Sequence, residues 1–379
     1  MKKSLTLFVL YYLRFFARLK LKQISPIIIG VTGSAGKSSC VAAIEAVLKE
    51  KFKVKTTGTG NSESGIPLSI LNLKMTDYST WDWLRVLILA PFAKTEKYDV
   101  LVAEMGIDEL IWPKNMDYLL SIIQPKIGVF LNALPVHTMQ MKSVENIFKE
   151  KSKLISSLPA DGYAVINSKY QIPTKAKTVY FKDDGTPIPP AMSVGKIFGI
   201  NTSYQQLAAS IQLPPGRWSI FKGINNSTII DSSYNSSPTP TINALKKLSD
   251  IRNPKSEIRR HIAVLGDMRE LGNLAGKYHK EVFILAKECA DEIITVGPLF
   301  KKFVKTKYQF ETAFQAGQFL QDFIKSGDVI LFKGSQNTIF LETAVEMCLA
   351  NKSDVSKLCR RGKFWENKRK FYTIPDSKV

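Results

Sequence analysis

The chain has 379 residues, of which 45% are hydrophobic and 23% charged, and these ordinary globular values exclude wholesale disorder. Its 53 Lys and Arg against 33 Asp and Glu leave a formal net charge of +20. Four scattered cysteines without a Cys-x-x-Cys pair exclude a disulfide framework and a zinc ribbon, and they fit a reducing compartment.

The first segment is strongly basic. Residues 1–30 hold six basic and no acidic residues, and only residues 351–379, with nine basic and three acidic ones, are comparable. The apolar run near the N-terminus is far shorter than the ~20 residues that cross a bilayer. We predict a basic amphipathic helix over residues 1–23, which lies on an anionic membrane surface, docks on a partner or packs on the body of the protein.

Apolar runs typical of strands then alternate with helical patterns, which predicts an α/β fold with parallel sheets. The predicted strands are 27–32, 99–104, 126–131, 163–166, 261–265, 292–296 and 328–332. The predicted helices are 37–50, 143–157, 239–249, 275–290, 311–325 and 337–350. The segment 171–200 is rich in Lys, Pro and Gly and is expected to be irregular. A polar, Pro-interrupted run near 250–260 predicts the boundary between a central domain, 24–250, and a C-terminal domain with a basic tail, 251–379.

A glycine-rich loop follows the first predicted strand. Its residues are Gly33, Ser34, Ala35, Gly36, Lys37, Ser38 and Ser39. Glycines in such a loop let backbone N–H groups converge on phosphate oxygens at a helix N-terminus. Lys37 is placed to reach the β- and γ-phosphates, and the Ser38 hydroxyl to bind Mg²⁺. The strict P-loop pattern has glycine at position 31, where this chain has valine. We predict a nucleotide phosphate site, with a simple glycine-rich turn as the alternative.

Polar residues also end two later strands. Glu104 ends the strand 99–104, and Asn132 and His137 follow the strand 126–131. Ligands bind at the carboxyl ends of strands in open α/β sheets, so these side chains are expected near the phosphate site. A carboxylate in that place commonly holds Mg²⁺. The alternatives are a solvent-facing acid and a structural histidine.

In their order and spacing these motifs and several later ones resemble the Mur ligases, the ATP-dependent amide-forming enzymes of peptidoglycan precursor synthesis. The matching segments are 32–38, 65–68, 104–106, 132–137, 215–217, 231–238, 266–272 and 333–335. The resemblance implies a P-loop central ATPase domain with a mostly parallel sheet, followed by a smaller Rossmann-like α/β C-terminal domain. Because it starts near residue 27, we expect the family's N-terminal UDP-sugar-binding domain to be replaced by the basic helix.

The resemblance also implies roles for single residues. Lys37 is the phosphate lysine, Ser38 and Glu104 bind magnesium, and His137 belongs to a second magnesium site. Lys151 matches a lysine that is carbamylated in the family, and the carbamate presents oxygens to Mg²⁺ as a carboxylate does. Positions near the nucleotide are Asn132, Arg217, Asp231 and Asn235. Positions that face the closed cleft are Asp267, Glu270, Lys333 and Ser335. Lys153 stands where the family usually has an acidic partner, which puts the details of the metal site in doubt.

The implied reaction joins an anionic precursor to an amine co-substrate through an acyl phosphate, with ATP and Mg²⁺. The resemblance is strongest to the ligases that add D-alanyl-D-alanine to UDP-MurNAc-tripeptide in cell-wall synthesis. Alternatives are a ligase of the same fold for another acid (lipid-linked muropeptide, folylpolyglutamate-type or cyanophycin-type) and a non-catalytic nucleotide-binding partner of a cell-wall protein. We expect a cytoplasmic monomer with peripheral contact to the inner membrane face through residues 1–22. No motif supports a specific nucleic-acid partner, despite the net charge.

Overall fold

The computed structural model of the chain describes residues 3–58, 60–94, 96–135, 138–251, 260–335 and 338–373. The strands are β1 Ile27–Thr32, β2 Val54–Thr56, β3 Val100–Glu104, β4 Ile127–Phe130, β5 Tyr163–Asn167, β6 Lys177–Phe181, β7 Ser219–Gly223, β8 Ser227–Asp231, β9 His261–Gly266, β10 Glu292–Val296, β11 Tyr308–Phe310 and β12 Val329–Lys333. All seven strands that the sequence predicts are present.

Helices fill the connections between these strands. They are α1 Lys3–Ile24, α2 Lys37–Leu48, α3 Gly65–Ile70, α4 Thr80–Leu89, α5 Met116–Ile122, α6 Thr138–Met141, α7 Val144–Ser156, α8 Ile188–Ile197, α9 Tyr204–Ser210, α10 Pro238–Ser249, α11 Ala275–Cys289, α12 Pro298–Phe303, α13 Ala313–Phe323, α14 Glu342–Cys348 and α15 Lys363–Thr373. Short 3₁₀ helices cover Ala90–Phe92, Ile224–Asn226, Gly272–Leu274 and Lys352–Lys357.

The first compact unit ends at Leu213. Its sheet has six strands in the order β2-β3-β1-β4-β5-β6, and every neighbouring pair is parallel. Apolar side chains cover both faces, as a parallel sheet requires. Strand β1 lies between β3 and β4, so the residues that follow these three strands meet at one carboxyl edge.

The second compact unit begins at Pro214. Its six strands follow the order β11-β10-β9-β12-β8-β7, and only the outermost pair, β7 with β8, is antiparallel. The division therefore lies earlier than the expected boundary at 250. The physical reason is hydrogen bonding: β8 pairs with β12, a strand about a hundred residues later, and carries residues 219–250 into the second unit.

The segment 171–200 is not irregular, as the sequence suggested, but contains β6 and α8. Strand β6 is the outermost strand of its sheet and is mostly exposed, and its apolar run is only three residues long, Val179 to Phe181. Helix α8 begins with prolines in its first turn, where the missing N–H costs nothing. The composition of this segment therefore did not predict β6 or α8.

Helix α1 packs on the first unit, one of the alternatives that the sequence left open. Val9, Leu10, Leu13, Ala17 and Leu21 are buried in the cluster that covers one face of the sheet. The indole N–H of Trp112 donates to the Tyr11 hydroxyl at 2.9 Å, and Arg14 Nη1 donates to Ser121 Oγ at 3.0 Å. Among the described residues, no helix is long and apolar enough to cross a membrane.

Candidate active site

The glycine-rich loop leaves the carboxyl end of β1 and enters α2 at Lys37. Gly36 is the N-cap of α2 and has φ of 83°, a left-handed conformation that glycine adopts without strain. In the described part of the chain no side chain caps this helix, so its first N–H groups are oriented to bind an anion. This is the strand–loop–helix arrangement that the motif predicted.

Residues that follow β4 hold the loop in shape. Asn132 Oδ1 accepts a hydrogen bond from the Ala35 N–H at 2.9 Å, and Asn132 Nδ2 donates to the Ala35 carbonyl at 3.2 Å. The Ser34 hydroxyl donates to the Leu134 carbonyl at 3.1 Å and accepts from the Leu134 N–H at 2.9 Å. Asn132 therefore lies beside the phosphate loop, where its amide binds the protein and positions the loop.

Glu104 lies at the end of β3, in register with Val31 of β1. The Ser38 hydroxyl donates to Glu104 Oε2, and Asn61 Nδ2 donates to Oε1 at 3.1 Å. The Glu104 N–H donates to Thr57 Oγ1 at 3.1 Å. The buried carboxylate is thus directed to the first turn of α2. Asn61 was missed in the sequence, where only the Gly-Ile-Pro-Leu segment shortly after it was singled out.

The groups around Glu104 fit ATP and Mg²⁺. Lys37 Nζ donates to the Gly33 carbonyl at 2.9 Å, so the ammonium lies over the loop that would cradle phosphates. Hydroxyl and carboxylate oxygens are ligands that Mg²⁺ prefers, together with phosphate and water oxygens. Across the described residues no three His, Cys, Asp or Glu side chains cluster as a cation site. A cation here would therefore depend on Ser38, Glu104 and oxygens from ATP, water or a modified side chain.

Lys151 is buried in α7, and its side chain is only 2% exposed. Burial, the larger cause, and the positive charge of Lys37 together lower its pKa from 10.5 to about 7. The carboxylates of Asp108, Glu104 and Glu150 act in the opposite direction. A large fraction of this amine is therefore neutral near neutral pH, and the neutral amine is the form that reacts with CO₂.

Lys153, two residues further along α7, is directed elsewhere. Its Nζ lies 2.6 Å from Asp117 Oδ2 and 2.8 Å from Glu150 Oε2. Glu150 Oε1 accepts from the Met116 N–H at 2.9 Å. This residue, which departs from the family pattern, therefore ties α7 to the start of α5.

The remaining expected site residues of the first unit are Ser39 and His137. Ser39 lies partly buried in the first turn of α2. His137 lies outside the described residues, so the second magnesium site expected from it stays a prediction.

The second unit gathers several of its expected site residues at the carboxyl edge of its own sheet. Asp231 ends β8 and Lys333 ends β12, and these strands pair in parallel. Lys333 Nζ donates to the backbone carbonyls of Ser232, at 3.4 Å, and Asn235. Burial, the largest cause, and the charge of Arg217 lower the pKa of Lys333 to about 7, although Asp231 acts in the opposite direction.

Two polar atoms at this edge lack a partner. Among the described residues, Asp231 Oδ2 and Ser335 Oγ are buried without a hydrogen bond. Burial raises the pKa of Asp231, although Ser233 hydrogen bonds to it. Buried polar groups are nearly always satisfied, so both atoms fit a site that is completed by a ligand. The Arg217 guanidinium lies 4.4 Å from the centre of the Tyr234 ring.

The carboxylate of Asp267 caps a helix. Asp267 Oδ2 accepts from the Leu299 N–H at 2.9 Å, and Oδ1 accepts from the Phe300 N–H at 2.7 Å, both at the start of α12. The resemblance implied a position that faces a cleft, but both oxygens are bound within the fold. Glu270, three residues later, has φ of 65°, a left-handed backbone that is uncommon for glutamate.

Arg360 is a site residue that the sequence did not reveal, because it was grouped with the basic tail. Its guanidinium makes a bidentate, buried ion pair with Glu342, with Nε 2.7 Å from Oε1. The same guanidinium donates to the carbonyls of Ser233, at 2.9 Å, and Tyr234, at 2.8 Å. Arg360 thus holds the turn after β8, and is not part of an exposed basic surface. Its neighbour Arg361 also pairs with an acid, Glu346.

This fold and this phosphate loop define a P-loop nucleotide-binding protein built from two α/β units. The profile of the Mur ligase middle domain matches residues 31–184, and that of the Mur ligase glutamate ligase domain matches residues 216–336. Together they cover most of the chain, so the protein belongs to the Mur ligase family. The fold class and the resemblance predicted from the sequence are confirmed.

Individual relatives agree with this assignment. The UDP-N-acetylmuramoyl-tripeptide–D-alanyl-D-alanine ligase of Bacillus subtilis is 26% identical over 84% of this chain and 75% of its own length. The MurF ligase of Thermotoga maritima, solved with ADP, is 23% identical, with a TM-score of 0.74 over 96% of this chain and 84% of that chain. The folylpolyglutamate synthase/dihydrofolate synthase of Yersinia pestis is 16% identical, with a TM-score of 0.60 over 89% of this chain and 92% of that chain. The two structural likenesses concern the fold.

Proposed function

We propose that this Mur ligase adds D-alanyl-D-alanine to a UDP-MurNAc-tripeptide-type precursor, with ATP as the source of energy. The observation that carries the reaction type is the group at the carboxyl edge of the first sheet. There the phosphate loop, the Ser38–Glu104 contact and the buried Lys151, whose pKa is lowered by burial, occur together. The choice of substrates is supported by the relative from Bacillus subtilis, whose name states both.

The reaction has two steps. The γ-phosphoryl group of ATP passes to a carboxylate oxygen of the precursor, which gives an acyl phosphate and ADP. The amine then attacks the acyl carbon, the amide bond forms, inorganic phosphate leaves and the amine gives up a proton. The N–H groups of the loop and Lys37 offset the charge on the phosphates during transfer. Ser38 and Glu104 would hold Mg²⁺, which supplies further charge neutralisation when bound.

Lys151 takes part as a carbamate in this proposal. Its neutral amine adds CO₂, a C–N bond forms and one proton is released, so that a neutral group becomes an anion. Burial and the proximity of Lys37 favour the neutral amine that this step needs. The resulting oxygens would supplement Glu104, a buried carboxylate that contacts Ser38. His137 keeps its proposed place at a second magnesium ion.

Residues of the second unit are proposed to bind ligands as well. We assign Arg217, Asp231 and Asn235 to the nucleotide, and Lys333, Ser335 and Glu270 to the substrates. The unpartnered Asp231 Oδ2 and Ser335 Oγ support this assignment. Asp267, whose oxygens cap α12, is better described as a support for this edge.

We further propose a cytoplasmic monomer that touches the anionic inner face of a membrane through residues 1–22. The outer side of α1 supports this contact, because it exposes Phe8 and Phe15 and the described helix has no acidic residue. Because this contact would place the protein at a membrane, a lipid-linked muropeptide is the second candidate substrate.

The test is ADP release by the purified full chain with UDP-MurNAc-tripeptide and D-alanyl-D-alanine, supplied together and singly. We expect release only with both. Lys37→Ala should lower it by about 10²–10³-fold, whereas Lys49→Ala, an exposed lysine at the far end of α2, should leave it unchanged. Parallel assays use a lipid-linked muropeptide and a folate with glutamate. Faster turnover with either of these would overturn the substrate assignment, and turnover with no pair would overturn the ligase.

A further inference from the structure

The outward side of α1 forms an apolar stripe. Phe8 and Phe15 are 60% and 62% exposed, and Leu5 and Leu19 are exposed on the same side. Intervals of three, seven and four residues place these four side chains along one face of a helix. The opposite face is the one that packs into the first unit. Helix α1 is therefore apolar on two opposite faces, and within the described part of the chain only one of them is covered.

Helix α4 and the 3₁₀ turn that follows it carry a second stripe. Trp81 is 80% exposed and Phe92 is 76% exposed, with Leu84 and Ile88 exposed between them. Intervals of three and four residues again place the side chains on one face. The other face buries Val86 in the same apolar cluster that receives α1, and α1 contacts both α4 and the turn.

Single exposed apolar side chains are common, but a stripe on each of two contacting helices marks an interaction surface. We propose that the α1–α4 surface docks on the headgroup region of an anionic lipid bilayer. This surface is defined by Leu5, Phe8, Phe15, Leu19, Trp81, Leu84, Ile88 and Phe92. The inference rests on the membrane contact proposed above for residues 1–22, and it adds α4 as an equal contributor.

Charge favours lipid over a second copy of the chain. Helix α1 contains no acidic residue in its described length, and the exposed Arg18 and Lys22 lie one turn apart along the flank of its stripe. The acid of α4, Asp82, is buried and paired with Arg85 at 2.6 Å. Two such surfaces face to face would bring basic flanks together, whereas anionic headgroups complement them.

The types of side chain also suit a bilayer interface. Tryptophan and other aromatic side chains concentrate at the depth of the headgroups, and basic side chains at their edge reach phosphate groups. Neither helix is long and apolar enough to cross the bilayer. The surface would therefore lie in the interface plane, with both stripes inserted to a shallow depth.

The test is co-sedimentation of the full chain with vesicles of equal parts phosphatidylglycerol and phosphatidylcholine, and with vesicles of phosphatidylcholine alone. Trp81→Ser/Phe92→Ser and Phe8→Ser/Phe15→Ser should each weaken binding to the anionic vesicles by about tenfold or more. Ile220→Ser/Ile284→Ser is the matched control. These side chains are 64% and 57% exposed in the second unit, and their replacement should change binding less than about twofold. Binding to the neutral vesicles should be weaker for every protein.

Quenching by brominated lipid gives a second readout. The quenched part of the tryptophan emission should be largely absent in Trp81→Phe. Unchanged vesicle binding by Trp81→Ser/Phe92→Ser would overturn the role of α4. Absence of vesicle binding, with a dimer that these substitutions dissociate, would assign the surface to a second copy and overturn the proposal. ADP release measured without lipid keeps the two hypotheses apart: a wild-type chain that binds vesicles but turns over no substrate contradicts the ligase alone.

Discussion

The carboxyl edge of the second sheet and the phosphate site of the first unit each contain a buried lysine and a buried acid, but they use the lysine differently. Lys151 and Glu104 belong to the first unit, and Lys333 and Asp231 to the second. Burial lowers the pKa of both lysines to about 7. Lys333 donates hydrogen bonds to backbone carbonyls, so its role includes holding a turn. The charges of Lys37, Asp108, Glu104 and Glu150 influence the pKa of Lys151, whose nitrogen is the one proposed above to take part in the chemistry.

The phosphate loop of the first unit and the turn after β8 in the second unit also differ in the interactions that hold them. In the first unit, Asn132 holds the phosphate loop through hydrogen bonds of neutral groups. In the second unit, the turn after β8 is held by the buried Arg360–Glu342 ion pair. A buried pair is costly to break because one charge remains without a partner. Removal of the supporting side chain should therefore lower the free energy of unfolding more in the second unit than in the first.

Removal of that support should have the largest effect. Arg360→Ala leaves Glu342 buried and unpaired, and we expect it to lower the free energy of unfolding by about 3–5 kcal/mol. Urea denaturation followed by circular dichroism measures the change. Arg361→Ala, which breaks the more exposed neighbouring pair with Glu346, is the control and should cost about 0–1 kcal/mol. Equal losses in the two variants would contradict a special role for Arg360.

The next largest effect tests whether Lys151 takes part in the reaction as a carbamate. Lys151→Ala should lower ADP release by about 10²–10³-fold, with partial recovery when acetate or another short carboxylate is added. Lys153→Ala, on the same helix but paired with Asp117, should keep nearly full turnover. If Lys151→Ala is inactive, correctly folded and insensitive to carboxylates, the carbamate proposal fails.

A smaller effect should come from substitution of Asp267. This substitution tests whether the residue supports the fold or contacts a substrate. Asp267→Ala leaves two N–H groups of α12 unpaired and should cost about 1–3 kcal/mol of stability. Burial raises the pKa of Asp267 from 3.8 to about 6, so the folded state binds the proton more tightly than the unfolded one. Its contribution to stability should therefore fall as the pH rises from about 4 to about 6. Asp267→Asn should lack that pH dependence, and an unchanged dependence would show that another group causes it.

The smallest expected effect is the pH dependence of carbamate formation at Lys151. Because burial lowers its pKa to about 7, the neutral amine should fall about tenfold as the pH is lowered from 8 to 6. The ¹³C carbamate signal of protein equilibrated with labelled bicarbonate should decline over the same range. The signal should be missing from Lys151→Ala and retained in Lys153→Ala. A signal that persists in Lys151→Ala would place the carbamate elsewhere.

Much of the fold could be predicted because its signals are local. Buried parallel strands such as β1 and β9 are short apolar runs, and the phosphate loop is a contiguous motif. Edge strands are different, since β6 is mostly exposed and its apolar run is only three residues long. The compact units divide after Leu213, earlier than the boundary predicted near 250, because β8 pairs with a strand far along the chain.

The sequence by itself predicted the reaction class, through the resemblance to the Mur ligases, and the strand–loop–helix order of the glycine-rich loop, because that order depends on neighbouring residues. Tertiary structure alone decided the partners of charged groups. It paired Arg360 with Glu342, directed Lys153 to Asp117, and turned the carboxylate of Asp267 to the start of α12. It also exposed the stripe on α4, whose apolar pattern predicts burial as readily as exposure. The reason is that burial and ion pairing depend on side chains distant in the chain, which only the folded arrangement brings together.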